Sequence, residues 1–217
     1  MKTWFYYTTQ HFLRLLSLFY VAFFTRTSVI KKADLSKLPN GPIIIIANHR
    51  SYFDPALISL AFPFFSSIYP LRFMAADEFF KQPLLWALLK SLGAYPAKYG
   101  KGMDESLLKP AKLLAQNQTL VFFPEGKRHQ EQGIEKPKRG IGELVRKFPE
   151  VSIIPVAISG AEAMEKKGWW HRRTEIKVIV GQPFTLAGLI KQGAAQDISA
   201  SPLAETLMGK VGILLEG

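Results

Sequence analysis

"PIIIIANHRSYFDP" (42–55) sets an uninterrupted apolar run directly before Asn48, His49, Arg50 and Asp54. Four isoleucines bounded by turn residues read as a short strand buried on both faces, because they are β-branched and leave no polar side for solvent. "DPALISLAF" (54–62) follows, with Asp54 as the expected helix N-cap and Pro55 at the first helical position. Strand, polar turn and helix in that order begin an α/β unit. The polar cluster is open to two readings: an ordinary turn that contains a histidine, or a reactive site carried at the end of the strand.

The same arrangement recurs along the chain. "TLVFFPEGKRH" (119–129) is a second apolar strand that delivers charged residues at its exit. "VSIIPVAISG" (151–160) reads as another buried strand, and "TEIKVIVGQPF" (174–184) as one with clearer alternation. "RFMAADEFF" (72–80) is expected to be a short strand entering a turn, and "AYPAK" (94–98) a short strand or turn. Helices are predicted over 82–93, 103–118, 140–148 and about 202–215. The first is apolar nearly all round, so it reads as buried or membrane-facing: core, greasy surface or acyl-chain tunnel, with the core favoured. The second has Leu107, Leu108, Ala111 and Leu114 on one side, with a kink or break at Pro110. Strands alternating with helices over 42–186 predict an α/β fold with a central mixed, largely parallel sheet flanked by helices. No Gly-x-Gly-x-x-Gly or Walker A loop occurs, which argues against dinucleotide binding and NTP hydrolysis.

The chain has 217 residues, enough for one domain with a real core. Its formal charge of +11 suggests an anionic partner: lipid headgroups, a phosphorylated substrate or nucleic acid. With no cysteine there is no disulfide, no thiol nucleophile and no cysteine-based metal site. "WFYYTTQHFLRLLSLFYVAFF" (4–24) has about the length of a membrane span, yet Gln10, Arg14 and Ser17 form a polar stripe along it. A lone Arg in mid-bilayer costs about 2.5–3.5 kcal/mol, so a helix lying in the membrane interface is favoured over a span, a signal peptide or an ordinary buried helix. Residues 1–30 are accordingly assigned to an N-terminal amphipathic, membrane-associating segment and 31–217 to a single α/β domain.

Ligands of open α/β sheets collect beyond the carboxyl ends of the strands, where both polar clusters lie. On one straight helix His49 and Asp54 would stand about 140° apart. With His49 in the loop and Asp54 at the helix start, the chain can turn back and let the carboxylate hold the imidazole. In the second cluster Gly126 separates Glu125 from Lys127 and Arg128, a turn suited to a phosphate; Lys136, Lys138 and Arg139 follow. A solvated charged loop is the plain alternative.

Taken together, "NHRSYFD" (48–54) and "FPEGKRH" (123–129) resemble the N-H-x-x-x-x-D and F-P-E-G-x-R signatures of the glycerolipid acyltransferases, of the 1-acylglycerol-3-phosphate acyltransferase type. "IIPVAI" (153–158), with Pro155, is similar to a further block of that family, and the resemblance spans roughly 40–185. It implies transfer of an acyl group from acyl-CoA or acyl-carrier protein to the hydroxyl of a lysophospholipid, above all 1-acylglycerol-3-phosphate. Another lysolipid or glycerol 3-phosphate is the alternative acceptor. It implies His49 as base and Asp54 as its orienter. Arg128, Lys127 and Lys98 would hold the phosphate on a loop shaped by Glu125 and Gly126. Asn48, Ser51, Phe123 and Pro124 support the site, and no bound cofactor or metal is implied. "GAYPAKY" (93–99) departs from the family pattern: Tyr99 stands where an Arg belongs, and Lys98 offers a point charge one position earlier.

Ser51 lies near His49, but no G-x-S-x-G elbow surrounds it, which argues against a serine hydrolase. A membrane-associated enzyme on the cytoplasmic face, on an anionic lipid surface, fits the charge and the N-terminus. "FPFFSSIYPLRF" (62–73) reads equally as core or as greasy surface or acyl-chain tunnel. "KKGWWHRR" (166–173) reads as a membrane-interface loop. The rival from another class is a non-catalytic peripheral lipid-binding protein. Nucleic acid is not expected, because the strands are apolar rather than basic and aromatic.

Overall fold

A computed structural model of the chain describes residues 3–35, 37–38, 40–98, 102–129, 131, 133–165, 174–193 and 198–217. The expected buried strand is β2 (Ile43–Ala47), at the centre of a seven-stranded sheet. Its neighbours are β5 (Thr119–Phe122) and β6 (Ser152–Ser159), both parallel to it. Beyond β5 lie β3 (Leu71–Ala75) and β4 (Ala94–Pro96), also parallel. Beyond β6 lie β7 (Thr174–Val180), the antiparallel partner of β6, and β1 (Thr25–Lys31) at the edge, parallel to β7. The α/β architecture with a mixed, largely parallel sheet is as expected.

Alternation along β2 explains why four isoleucines suffice to seat it. Ile44 and Ile46 join one core, with residues of α4 (Met103–Ala115), α5 (Gly140–Lys147), α6 (Leu186–Lys191) and α7 (Ala200–Glu216). Ile43, Ile45 and Ala47 face the opposite core, with Leu57 and Ile58 of α2 (Asp54–Ala61) and Val21 of α1 (Thr3–Phe24). A period of two between two helical layers requires apolar residues on both faces.

Several local expectations change. The edge strand β1 was not foreseen, since "TRTSVIK" is largely exposed and carries no apolar run. The division drawn between residues 30 and 31 falls inside it. α6 was also unforeseen. α4 runs through Pro110 without a break, with Pro110 itself buried and Leu108 turned outward. α3 (Pro83–Ser91) buries none of its residues, and Leu84 is 84% exposed, so the core reading does not hold, while Leu88 and Leu89 line an apolar cavity. The 62–73 stretch divides, with Phe62, Ile68, Tyr69 and Leu71 in the core and Phe65 on the surface.

α1 is mounted with Gln10, His11 and Arg14 inward. Gln10 donates from Nε2 to the carbonyls of Leu71 and Leu92 and accepts the Leu71 N–H, joining α1 to β3 and to the end of α3. Gly93 makes room for this, because a β-carbon there would stand 2.6 Å from the Leu71 oxygen and 2.8 Å from Gln10 Nε2. Arg14 donates to the carbonyls of Phe62 and Pro63. The apolar side, with Trp4, Phe12, Phe19 and Phe23, faces outward, the last two 76% exposed.

Beyond the last register pair of β2 and β6, Ala47 with Val156, the fully buried Asn48 continues the ladder with its side chain. It donates to the Ile158 carbonyl and accepts the Ile158 N–H, both at 2.8 Å. This fixes the point at which the chain leaves the sheet for His49. Asn48→Ala strands a buried donor and acceptor at about 1–3 kcal/mol each, so denaturant unfolding is expected to show a loss of roughly 2–5 kcal/mol. A loss under about 1 kcal/mol would mean that the Ile158 backbone finds other partners.

Candidate active site

Asp54 has no exposed surface and accepts four hydrogen bonds from the preceding loop. Oδ2 receives His49 Nδ1 at 2.7 Å, the Arg50 N–H at 2.6 Å and the Ser51 N–H at 2.9 Å. Oδ1 receives the Ser51 hydroxyl at 2.7 Å. The expected N-cap role does not hold. The cap position is Phe53, Asp54 is the first helical residue, and its carboxylate turns back to the loop rather than onto the helix N–H groups. A carboxylate that accepts from Nδ1 requires the proton on that nitrogen, which leaves the lone pair on Nε2. Phe123 stacks on the imidazole, with centroids 4.1 Å apart and planes 16° apart, and holds the ring from one face. Ser51 also accepts the Phe53 N–H, so its buried hydroxyl is committed to the turn and is not presented as a nucleophile.

The second cluster is joined to the first through the backbone. Phe123, Pro124, Glu125 and Gly126 form a turn closed by the Gly126 N–H on the Phe123 carbonyl at 3.0 Å. Glu125, expected beside the phosphate, is buried and points the other way. Its Oε2 accepts the His49 N–H at 2.9 Å and its Oε1 the Glu135 N–H at 3.3 Å. Burial raises its pKa above the ordinary glutamate value, while the N–H bonds from His49 and Glu135 and the charges of Arg50 and His129 act in the opposite sense. A raised folded-state pKa means that keeping this group ionised costs stability at neutral pH, which those bonds offset. The His129 N–H returns to the His49 carbonyl at 3.0 Å. Arg50, buried and missed in the sequence, donates to the carbonyls of His129, Glu131 and Gly133.

The joined loops frame a cavity of about 510 Å³ lined by His49, Tyr52, Phe123, Gly126, Lys127, Arg128 and Lys138, among others. A second, almost wholly apolar cavity of about 590 Å³ lies under α1 and α3. The two share Tyr52, Pro55, Phe73, Leu89 and Val121, so His49 stands near the junction of a cationic space and an apolar one. Arg128 is held by Glu165 (Nε to Oε1, 3.0 Å), and its guanidinium carbon lies 3.4 Å from the Tyr52 ring centroid. The same Glu165 oxygen accepts the Tyr52 N–H at 2.9 Å. Glu165 ends a 3-10 turn (Ala161–Glu165) after β6. Nothing in the sequence marked it beyond its position following a strand exit.

Other expected residues stand apart. Lys98 is paired with Glu105 at 2.8 Å and does not line the cavity of His49. Pro155 is buried in β6 opposite Ile46, its carbonyl taking the Gly181 N–H, and is a sheet residue rather than a lining one. Tyr99 and the stretch 166–173 lie outside the described residues.

Comparison with known proteins bears on the family and the fold. The family model described as "Acyltransferase" matches residues 29–159 and takes in both strand exits. A 1-acyl-sn-glycerol-3-phosphate acyltransferase of Bacillus subtilis (strain 168) is 24% identical over 71% of this chain and 73% of its own length. An N-acylphosphatidylethanolamine synthase of Arabidopsis thaliana is 28% identical over 68% of this chain, and the match spans 57% of that relative's length. The crystal structure of the 1-acyl-sn-glycerophosphate acyltransferase PlsC from Thermotoga maritima superposes with a TM-score of 0.71. It covers 97% of this chain and 78% of that one at 18% identity, a likeness of fold. With the histidine–aspartate turn, the glutamate–glycine loop and the sheet between them all within the matched region, the chain belongs to the acyltransferase family.

Proposed function

We propose that this chain moves a fatty acyl group from an acyl thioester, acyl-CoA or acyl-carrier protein, to the free hydroxyl of 1-acylglycerol-3-phosphate, giving phosphatidic acid. The observation that carries this reading is the placement of His49. Its Nδ1 is fixed on a buried carboxylate, and its ring lines a cationic cavity that shares five lining residues with an apolar one. A phosphorylated acceptor suits the first space and an acyl chain the second. The names of the bacterial relatives support the same acceptor.

In this mechanism the acceptor hydroxyl lies against Nε2 of His49. The imidazole takes its proton as the oxygen attacks the thioester carbonyl carbon. Collapse of the tetrahedral adduct expels the sulfur, which leaves as a thiol with the proton from His49. One ester bond forms, one thioester bond breaks, and the enzyme is never acylated. Asp54 holds the ring in one tautomer and stabilises the imidazolium while it exists. Arg128 and Lys127 face the acceptor phosphate, and the Glu125–Gly126 turn sets the distance between them and His49.

Thioester release should be measured with lysophosphatidate and either donor. His49→Ala is expected to lower kcat by about 10²–10⁴, the usual worth of a positioned general base. Turnover equal to wild type would sink the assignment. Asp54→Asn should lower kcat by a comparable factor, because a neutral amide no longer stabilises the imidazolium or fixes its tautomer. Circular dichroism of the same sample separates loss of catalysis from loss of fold.

The site is proposed to work at a membrane surface. Among the described residues, no helix is long and apolar enough to cross a membrane. The support is the outward apolar side of α1, together with exposed Leu84 and Trp86 of α3. The charge of +11 favours anionic lipid, at about 1 kcal/mol for each Lys or Arg close to the surface. Sedimentation with vesicles is expected to be strong for anionic lipid and weaker for zwitterionic lipid. Phe19→Ser with Phe23→Ser should reduce both. Protein that stays in solution with every vesicle overturns the proposal.

A further inference from the structure

The phosphate site of this chain lacks the second cation where the sequence pattern would put it. Lys98 is spent on Glu105 at 2.8 Å and is absent from the cavity lining. Arg128 shares its charge with Glu165 at 3.0 Å. Lys127 lines the cavity beside Arg128, but so does Glu78. A phosphate monoester carries about −1.5 to −2 at neutral pH, more than Lys127 and a shared guanidinium supply there. A further cation from elsewhere in the fold would complete the balance.

Lys138 enters the cavity from a different segment, beyond both signature motifs. Its N–H donates to the Pro124 carbonyl at 2.8 Å, which ties the segment before α5 to the turn that carries Glu125. Its side chain then crosses directly over Gly126. A β-carbon at that position would stand 2.7 Å from Lys138 Cε, 2.8 Å from Nζ and 2.9 Å from Cδ. Gly126 has φ of +75°, so glycine serves both the turn and the passage of the lysine. The ammonium is thus laid against the backbone of the loop whose Glu125 grips the His49 N–H. Lys127 lines the same cavity from the next position along that loop.

We propose that Lys138, together with Lys127 and Arg128, holds the acceptor phosphate, and that Lys138 supplies the selectivity for phosphate-bearing acceptors that Lys98 does not. The inference rests on the acyl-transfer reading of the site. It also accounts for a site that functions without an Arg at position 99: a lysine from the strand-exit segment replaces a cation expected from the β4 side.

The test compares Lys138→Met, Lys138→Arg and Lys98→Met with wild type. Acceptors are lysophosphatidate and a monoacylglycerol of the same chain, which lacks the phosphate. Lys138→Met is expected to raise KM for lysophosphatidate about tenfold, with kcat within about twofold and the monoacylglycerol reaction unchanged. Lys138→Arg should recover most of the loss, and Lys98→Met should behave as wild type. An unchanged KM in Lys138→Met, or an equal rise for both acceptors, overturns the proposal. Calorimetric binding of lysophosphatidate to wild type and Lys138→Met reads the same contact without turnover. Wild type that binds lysophosphatidate through Lys138 but transfers no acyl group would sink the acyl-transfer reading and leave the anion site standing. Turnover indifferent to Lys138 would do the reverse.

Discussion

The buried carboxylate of Asp54 gathers the His49 imidazole, two backbone N–H groups and the Ser51 hydroxyl onto its two oxygens. A charge with no exposed surface is tolerable only when every lone pair has a donor, and here the donors all come from one short loop. The turn and the charge therefore require each other. Without the carboxylate, the N–H groups of Arg50 and Ser51 would be stranded at the head of α2. Without the tight turn, the carboxylate would be unpaired. The same condition that keeps the loop folded also selects the tautomer of His49, so stability and chemistry are set by one group.

From that point order spreads through backbone contacts. Glu125 takes the His49 N–H, His129 returns to the His49 carbonyl, and Arg50 binds three carbonyls of the segment after the second strand exit. Residues some 76 positions apart in sequence thus behave as one loop. Side chains that reach the cavity are carried on this joined frame, while Arg50 and Glu125, which tie it together, are buried. Such a division lets the lining vary without loosening His49.

Much of this was legible in the sequence, for identifiable reasons. Ile43–Ile46 could only be a strand covered on both sides, and the charged clusters after β2 and β5 stood where sheet topology places ligands. A turn between strand and helix made the His49–Asp54 pairing possible, and the resemblance implied it. What escaped was whatever depends on long-range partners. Arg50 and Glu165 carry no local signal, since their roles come from carbonyls and side chains far along the chain. The same is true of α3, whose leucines look like core and lie outside, and of β1, whose residues alternate too weakly to announce an edge strand. Lys98 and Lys138 show the limit most sharply. Proximity in sequence to a motif favoured the first, and the crossing over Gly126 put the second in the cavity.

α1 passes into β1 without an intervening linker, Phe24 to Thr25, and its polar residues are bonded to β3, to the end of α3 and to the segment after α2. The outward-facing helix is therefore a wall of the domain, with Leu13, Leu16, Tyr20 and Val21 lining the apolar cavity from within. On the proposed reading, the height of His49 above the lipid plane is fixed by construction, not by a hinge. An acyl chain would then pass sideways between bilayer and cavity without crossing bulk water. The product, two-tailed and poorly soluble, would be released into the same leaflet that delivered its precursor.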